Sequence, residues 1–220
     1  IEEVHKRKMY IIFDGVFNHL GVKNFAFEDI VKNQQRSAYK DWFDIISWRD
    51  SSTGKKFEYK GWFGVKTLPE LKEDSTGIVA GPKQYIFNST MRWMNPMNKG
   101  VAYGIDGWRL DVAYDVGHPF WKDWRKWVRS INPNAYLTAE LVYNIEQTRP
   151  YLSGDEFDAT MNYNFAFIMH DFFVQDTSAS TVTQFDGKLK ELREAFGENV
   201  AFNMQNLMNS HDATRLASAV

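Results

Sequence analysis

Five short, β-rich apolar runs, Met9–Asp14, Ile105–Asp111, Tyr136–Ala139, Phe157–Met161 and Ala201–Met208, alternate with amphipathic stretches along the chain. Such alternation is the pattern of βα units and calls for a parallel sheet with helices packed on it. The stripe Phe120, Trp124, Val128 and Ile131, with Pro119 at the first helical position, predicts one helix. Ser180 as N-cap, then Phe185, Leu189, Leu192 and Phe196 with Gly197 as the stop, predicts another. Ile1, Val4, His5 and Lys8 share helical spacing, so the chain is expected to open inside a charged helix and to lack its natural N-terminus. Residues 20–82 break the rhythm with many aromatics and the Ser51-Ser52-Thr53-Gly54 run. So long an excursion reads as a functional insertion overhanging the strand ends.

Charge and composition narrow the partners. With 26 Lys+Arg against 28 Asp+Glu, no basic patch suits a nucleic acid. Apolar runs such as Tyr10–Phe13 and Phe165–Met169 fall far short of the ~18 residues of a membrane span, so a soluble chain without a membrane partner is expected. The absence of cysteine excludes a disulfide framework, a thiol nucleophile and a Cys-ligated zinc, and fits a cytoplasmic or a periplasmic home equally. The 8 Trp, 10 Tyr and 17 Phe suit stacking on flat ligands and make carbohydrate a candidate.

Acids recur at or just after the C-terminal ends of the expected strands: Asp14, Asp111, Glu140 and Asp212. One Asp at a strand end is more often a helix cap. Four across four strands point to a site, because in parallel α/β barrels the loops of every strand converge on that face. Arg109 and Asp111 stand two apart on a strand, so their side chains share a face and the arginine would keep Asp111 ionised. His19, after Asn18, and His211, before Asp212, stand beside acids and are poised to bind sugar hydroxyls. Trp121, Trp124 and Trp127 lie on the first predicted helix, where core packing is the better reading. Trp42, Phe43, Trp62 and Phe63 in the insertion fit sugar stacking and local packing equally. Lys188, Lys190, Glu191, Arg193 and Glu194 form a solvated helix face.

The stretches Asp14–His19 (DGVFNH), Gly107–Ala113 (GWRLDVA), Leu137–Val142 (LTAELV) and Asn209–Asp212 (NSHD) resemble the four ordered sequence regions of the α-amylase superfamily of glycoside hydrolases. Leu68–Lys72 (LPELK) resembles the additional region in that family's insertion after the third barrel strand. With Tyr39–Phe43 (YKDWF), it is most similar to the neopullulanase, cyclomaltodextrinase and maltogenic amylase branch. The resemblance implies an α/β fold, a (β/α)8 TIM-type barrel incomplete in this chain, holding strands three to seven. Residues 1–19 and 83–220 would belong to the barrel, and residues 20–82 would be the inserted lobe.

The implied activity is retaining hydrolysis of α-glucosidic bonds (α-1,4, with α-1,6 open) in maltodextrins, cyclodextrins or pullulan. A glucanotransferase or isomerase of the same superfamily and a non-catalytic carbohydrate-binding relative are the alternatives. Asp111 would be the nucleophile, Glu140 the general acid/base and Asp212 the carboxylate that stabilises the transition state. Arg109 would orient Asp111, His19 and His211 would bind substrate hydroxyls, and Asp14 would support the site. Asn18 matches a position that helps bind structural calcium in many relatives. A retaining displacement needs a charged nucleophile and a protonated donor about 5–5.5 Å apart. No cation lies near Glu140 in sequence, which would favour its neutral form in an apolar cleft.

Departures from the pattern qualify the implied subsites and metal. Val112-Ala113-Tyr114-Asp115 follows Asp111 where many α-amylases place Lys-His, which puts ordinary leaving-side subsites in question. Leu141-Val142 stands behind Glu140 in place of a bulkier aromatic. The Asn95–Gly100 loop lacks carboxylates, which argues against a hard-cation site there and leaves calcium open. No organic cofactor is implied, and a homodimer, if formed, would use parts outside these residues. Five strands alone would leave two open edges, so residues 1–220 in isolation are expected to be inactive and poorly soluble.

Overall fold

Along residues 1–174, 180–213 and 215–219, which the computed structural model describes, the first elements are α1 (Glu2–Lys6), β1 (Ile12–Gly15), α2 (Phe25–Asn33), β2 (Ile45–Ser47) and β3 (Glu58–Tyr59). Next come β4 (Glu73–Asp74), β5 (Gly77–Ile78), α3 (Ala80–Met94), β6 (Gly107–Leu110), α4 (His118–Ile131) and β7 (Tyr136–Ala139). The chain continues with α5 (Ile145–Thr148), β8 (Ala159–Asn162), α6 (Tyr163–Phe173), α7 (Val182–Phe196), α8 (Glu198–Asn203), β9 (Gln205–Asn206) and α9 (Leu216–Ala219). Contacts divide these elements into two compact units, Ile1–Ala135 and Tyr136–Val220.

In the first unit β1 and β6 pair in parallel, with Asp14 opposite Arg109 and Gly15 opposite Leu110. Parallel partners project to the same side, so this register decides which side chains meet at the strand ends. The core beside them is aromatic. Trp124, fully buried, packs edge-on against Phe17 (5.5 Å between ring centres) and Trp108 (6.1 Å). Its indole N–H donates to Thr90 Oγ1 on α3 at 2.9 Å, so the ring's polar atom is satisfied inside the core. Trp121 is equally buried and donates to the Ala113 carbonyl, while Trp127 stacks on Phe87 at the edge of this layer. All three tryptophans of α4 therefore pack rather than face a ligand.

Gly77 (φ +98°) lets β5 pass against the start of α4: a Cβ there would lie 2.7 Å from the Phe120 Cβ. Residues 20–82 lie within the first unit. Asn24 caps α2 by accepting from the Ala26 N–H at 3.0 Å, and Phe27 on that helix packs against Phe43 (5.1 Å) and Tyr59 (4.7 Å). β2 with β3 and β4 with β5 are antiparallel pairs, and isolated bridges join His19 to Glu70, Phe43 to Leu71 and Gly61 to Pro69.

In the second unit β7, β8 and β9 run parallel, with Thr138 opposite Ala159 and Asn162 opposite Asn206. Asn162 Nδ2 donates to Asn206 Oδ1 at 2.8 Å and holds the short β9 in register. α6 and α7 meet through Phe172 and Phe185, stacked at 4.2 Å.

Several boundaries differ from expectation. Residues 201–208 are not one strand: Gly197 (φ +76°) ends α7, the Ala201 N–H bonds back to the Gly197 carbonyl, and α8 takes the apolar residues before β9 begins. α7 is capped by Thr181 in a capping box with Gln184, while Ser180 Oγ donates instead to Asp171 Oδ2 at 2.5 Å. Pro119 is the second residue of α4, after His118. α1 stops at Lys6, before the left-handed Lys8 (φ 57°). β1 starts at Ile12 rather than Met9 and runs on to Gly15, and β8 starts at Ala159 rather than Phe157.

Trp124→Ala should cost roughly 3–5 kcal/mol, and Thr90→Val, which strands the buried indole N–H, about 1–3 kcal/mol. Denaturant unfolding of the full-length variants measures both. A loss below about 1 kcal/mol for Trp124→Ala would contradict this account of the core.

Candidate active site

Arg109, buried on β6, is the centre of the acids in the first unit. Its Nη1 donates across the sheet to Asp14 Oδ1 at 2.7 Å and along its own strand to Asp111 Oδ1 at 2.5 Å. The first contact follows from the register and the second from the two-residue spacing. Asp111 lies just beyond β6, its N–H bonded to the Gly15 carbonyl at 3.1 Å, so the ladder continues through the acid's own backbone. Val112 then turns the chain in the left-handed region (φ 38°, ψ 47°), which a β-branched residue rarely occupies. That strain sits in the residue after Asp111, as is common where a site dictates the backbone.

The Asp14–His19 segment carries a second group. Asn18 and His19 are both buried, with Asn18 Nδ2 3.3 Å from His19 Nδ1. The Leu71 N–H donates to the Asn18 carbonyl and the Leu20 N–H to the Pro69 carbonyl, so the LPELK segment is tied to the end of DGVFNH by an isolated antiparallel bridge. Trp62 stacks on the His19 ring at 5.0 Å and 17°, and its Nε1 donates to Asp115 Oδ2 at 2.7 Å. Burial pushes the His19 pKa below the usual histidine value, against the pull of Asp111, Glu70 and Asp115 in the other direction. Lys60 pairs with Glu70 at 2.5 Å, which holds the ammonium pKa up. Glu73 accepts from the Gly117 N–H ahead of α4 at 3.2 Å, and burial raises its pKa.

The second unit holds the remaining acids. Glu140 follows β7 and is buried. His211 and Asp212 follow β9 on the exposed surface, with His211 Nε2 3.0 Å from Asp212 Oδ2. The Asp212 N–H donates to Ser210 Oγ at 3.1 Å, and that hydroxyl accepts from Tyr163 at 3.0 Å. Glu140 directly follows the C-terminal end of β7, whereas Asp212 lies in a turn six residues beyond the end of β9. Asp115, Lys60 and the Trp62 contact to His19 were not visible as site features in the sequence. Phe43 is buried under Phe27, and Trp42 lies so close beneath Gly81 that a Cβ there would meet its Nε1 at 2.3 Å, so both pack locally.

For a metal, the donors are few. Asn95 Oδ1 already accepts from the Gly100 N–H at 2.8 Å and so closes its own loop. Asn18 lies against His19 with no carboxylate at bonding distance, and among the described residues no group of three or more His, Asp or Glu side chains converges. The donor set does not fit a hard cation within these residues.

Across residues 1–220 the chain matches the model of the alpha-amylase catalytic domain. The chain belongs to that family. Neopullulanase 2 of Thermoactinomyces vulgaris is 35% identical over 219 residues, covering 100% of this chain and 35% of the relative. A cyclomaltodextrinase from Bacillus sp is 32% identical over 216 residues, covering 98% of this chain and 36% of that protein. The crystal structure of the debranching enzyme from Nostoc punctiforme superposes with a TM-score of 0.85 at 29% identity, over 99% of this chain and 46% of that one. The chain thus spans about a third of the length of the curated relatives it matches. The family sets the parallel strands within the α/β barrel class expected from the sequence.

The contribution of neutral His19 to stability is fully present above pH 6.5 and is lost as pH falls through its lowered pKa. Proton NMR of the His19 Hε1 resonance in the full-length protein should show a midpoint below 6.5. A midpoint at or above that value would contradict the burial described here.

Proposed function

We propose that the protein hydrolyses α-glucosidic bonds in maltodextrins, cyclodextrins or pullulan with retention of configuration. The observation that carries this reading is Arg109 clamping Asp111 at the end of β6 in a chain of the alpha-amylase family. The named relatives, a neopullulanase and a cyclomaltodextrinase, support the substrate class. In this reading residues 1–19 and 83–220 form the barrel portion, and residues 20–82 form a lobe that shapes the cleft.

The reaction proceeds in two displacements. Asp111 attacks the anomeric carbon as the glycosidic C–O bond breaks, and Glu140 gives its proton to the departing oxygen. Glu140, now a carboxylate, takes a proton from water, whose oxygen attacks the same carbon and expels Asp111. Arg109 fixes the attacking oxygen through its contacts to Asp111 and Asp14. His19 and His211 hold ring hydroxyls, and Asp212 holds hydroxyls as the ring flattens. Asn18 fixes the His19 ring through its side chain. No organic cofactor enters these steps.

In the full-length enzyme, Asp111→Asn and Glu140→Gln should each lower kcat at least ~10³-fold, the loss expected for a nucleophile or essential acid. An α-glucosyl fluoride, whose leaving group needs no proton, should restore glycosylation in Glu140→Gln and not in Asp111→Asn. Equal rescue of both variants would overturn the assignment.

A further inference from the structure

Four cations gather where the fold has no use for them. Lys32, Arg36, Arg49 and Lys55 line one groove of about 630 Å³ between the end of α2 and the turn from β2 to β3. Asp50 is the one carboxylate in that lining, and it is already engaged. Its Oδ1 accepts from the Ser52 N–H at 2.9 Å and its Oδ2 from the Thr53 hydroxyl at 2.9 Å. None of the four cations forms an ion pair among the described residues, in a chain whose 28 Asp+Glu outnumber its 26 Lys+Arg.

The end of α2 does not require them either. Gln34 Nε2 donates to the Val31 carbonyl at 2.8 Å and to the Ile30 carbonyl at 3.3 Å, taking the helix-end acceptors that a basic side chain otherwise serves. Its Oε1 accepts from the Arg49 N–H at 3.1 Å, so one amide ties the two walls of the groove together. Gln34 does this with a φ of +51°, uncommon outside glycine. On the opposite wall the Asp50 N–H bonds to the Lys55 carbonyl at 3.1 Å and closes the turn that carries Arg49 and Lys55. Like charges held along one concave surface repel one another and concentrate anions in front of them.

The rest of the lining selects among anions. Trp48 borders the same groove, backed by Phe57 with ring centres 5.9 Å apart, and Asn33 and Gln35 bring side-chain amides to it. An indole suits the apolar C–H face of a sugar, amides suit its hydroxyls, and arginine forks suit phosphate oxygens. The volume is that of a small-molecule pocket, roughly 300–1,000 Å³, rather than of the extended basic stripe that follows a polynucleotide. We propose that this groove binds a sugar phosphate, with Lys32, Arg36, Arg49 and Lys55 around the phosphate and Trp48 under the ring. It shares no residue with the groups around Asp111 and His19, and the inference stands apart from the function proposed above.

The test is isothermal titration calorimetry of the full-length protein with glucose 6-phosphate, inorganic phosphate and glucose, with thermal unfolding of each variant. Glucose 6-phosphate should bind wild type at least ~10-fold more tightly than either of the other two, and more weakly as salt is raised. The double variant Arg36→Gln with Arg49→Gln should lose at least ~10-fold in affinity for glucose 6-phosphate. Its Tm should equal or exceed that of wild type, since two like charges are removed. Trp48→Ala should weaken glucose 6-phosphate about fivefold and leave inorganic phosphate unchanged. Wild type that shows no saturable binding of glucose 6-phosphate, or binding that survives in the double variant, would overturn the site. Inorganic phosphate or glucose bound as tightly as glucose 6-phosphate would overturn its assignment to a sugar phosphate.

Discussion

Everything in the first unit that bears on chemistry is arranged around one guanidinium. Arg109 is buried, and a buried cation is tolerated only with partners, so Asp14 and Asp111 are as much its requirement as its targets. Meeting both requires β1 and β6 to pair in one register, since a one-residue slip would turn Arg109 to the other face and leave a charge among Phe17, Trp108 and Trp124. The aromatic layer on one side of the sheet and the ion cluster at its end are thus two consequences of one alignment. A planar fork serves here where an ammonium would not, because two acids on different strands are held from fixed directions.

Residues 61–71 add the neighbour that the cluster lacks. Glu70 pairs with His19 and Pro69 with Gly61, and this places Trp62 on the face of His19, 43 residues away in sequence. Desolvation under that indole keeps the imidazole neutral, in the form that can both donate to and accept from a hydroxyl. Asp115 closes the arrangement from the turn after β6 by holding the indole nitrogen. The strained Val112 lies three residues before it, so one irregular turn positions both Asp111 and Asp115.

The contact of Arg109 with the acid two residues on was legible in the sequence, because alternate residues of a strand share a face. Asp111 beside Arg109 follows from spacing alone. The tryptophan stripe of α4 was equally legible, since a period near four leaves one face to bury. The contact from Trp62 to Asp115 was not, because it spans 53 residues and no residue type announces it. The left-handed backbones of Val112 and Phe63 escaped for a related reason: both residue types disfavour that region, and only surrounding structure forces them into it. The apolar residues 201–204 read as strand by propensity, yet Gly197 starts a new helical turn whose hydrogen bonds capture them first.

If Arg109 orients Asp111 for attack, the covalent intermediate must form on that residue. A fluorosugar whose glycosyl-enzyme hydrolyses slowly, incubated with the full-length enzyme and followed by peptide mass spectrometry, locates the bond directly. The account predicts a single adduct on the peptide containing Asp111, absent from Asp111→Asn. An adduct on Asp14, Asp115 or Glu140 in the wild type would contradict it.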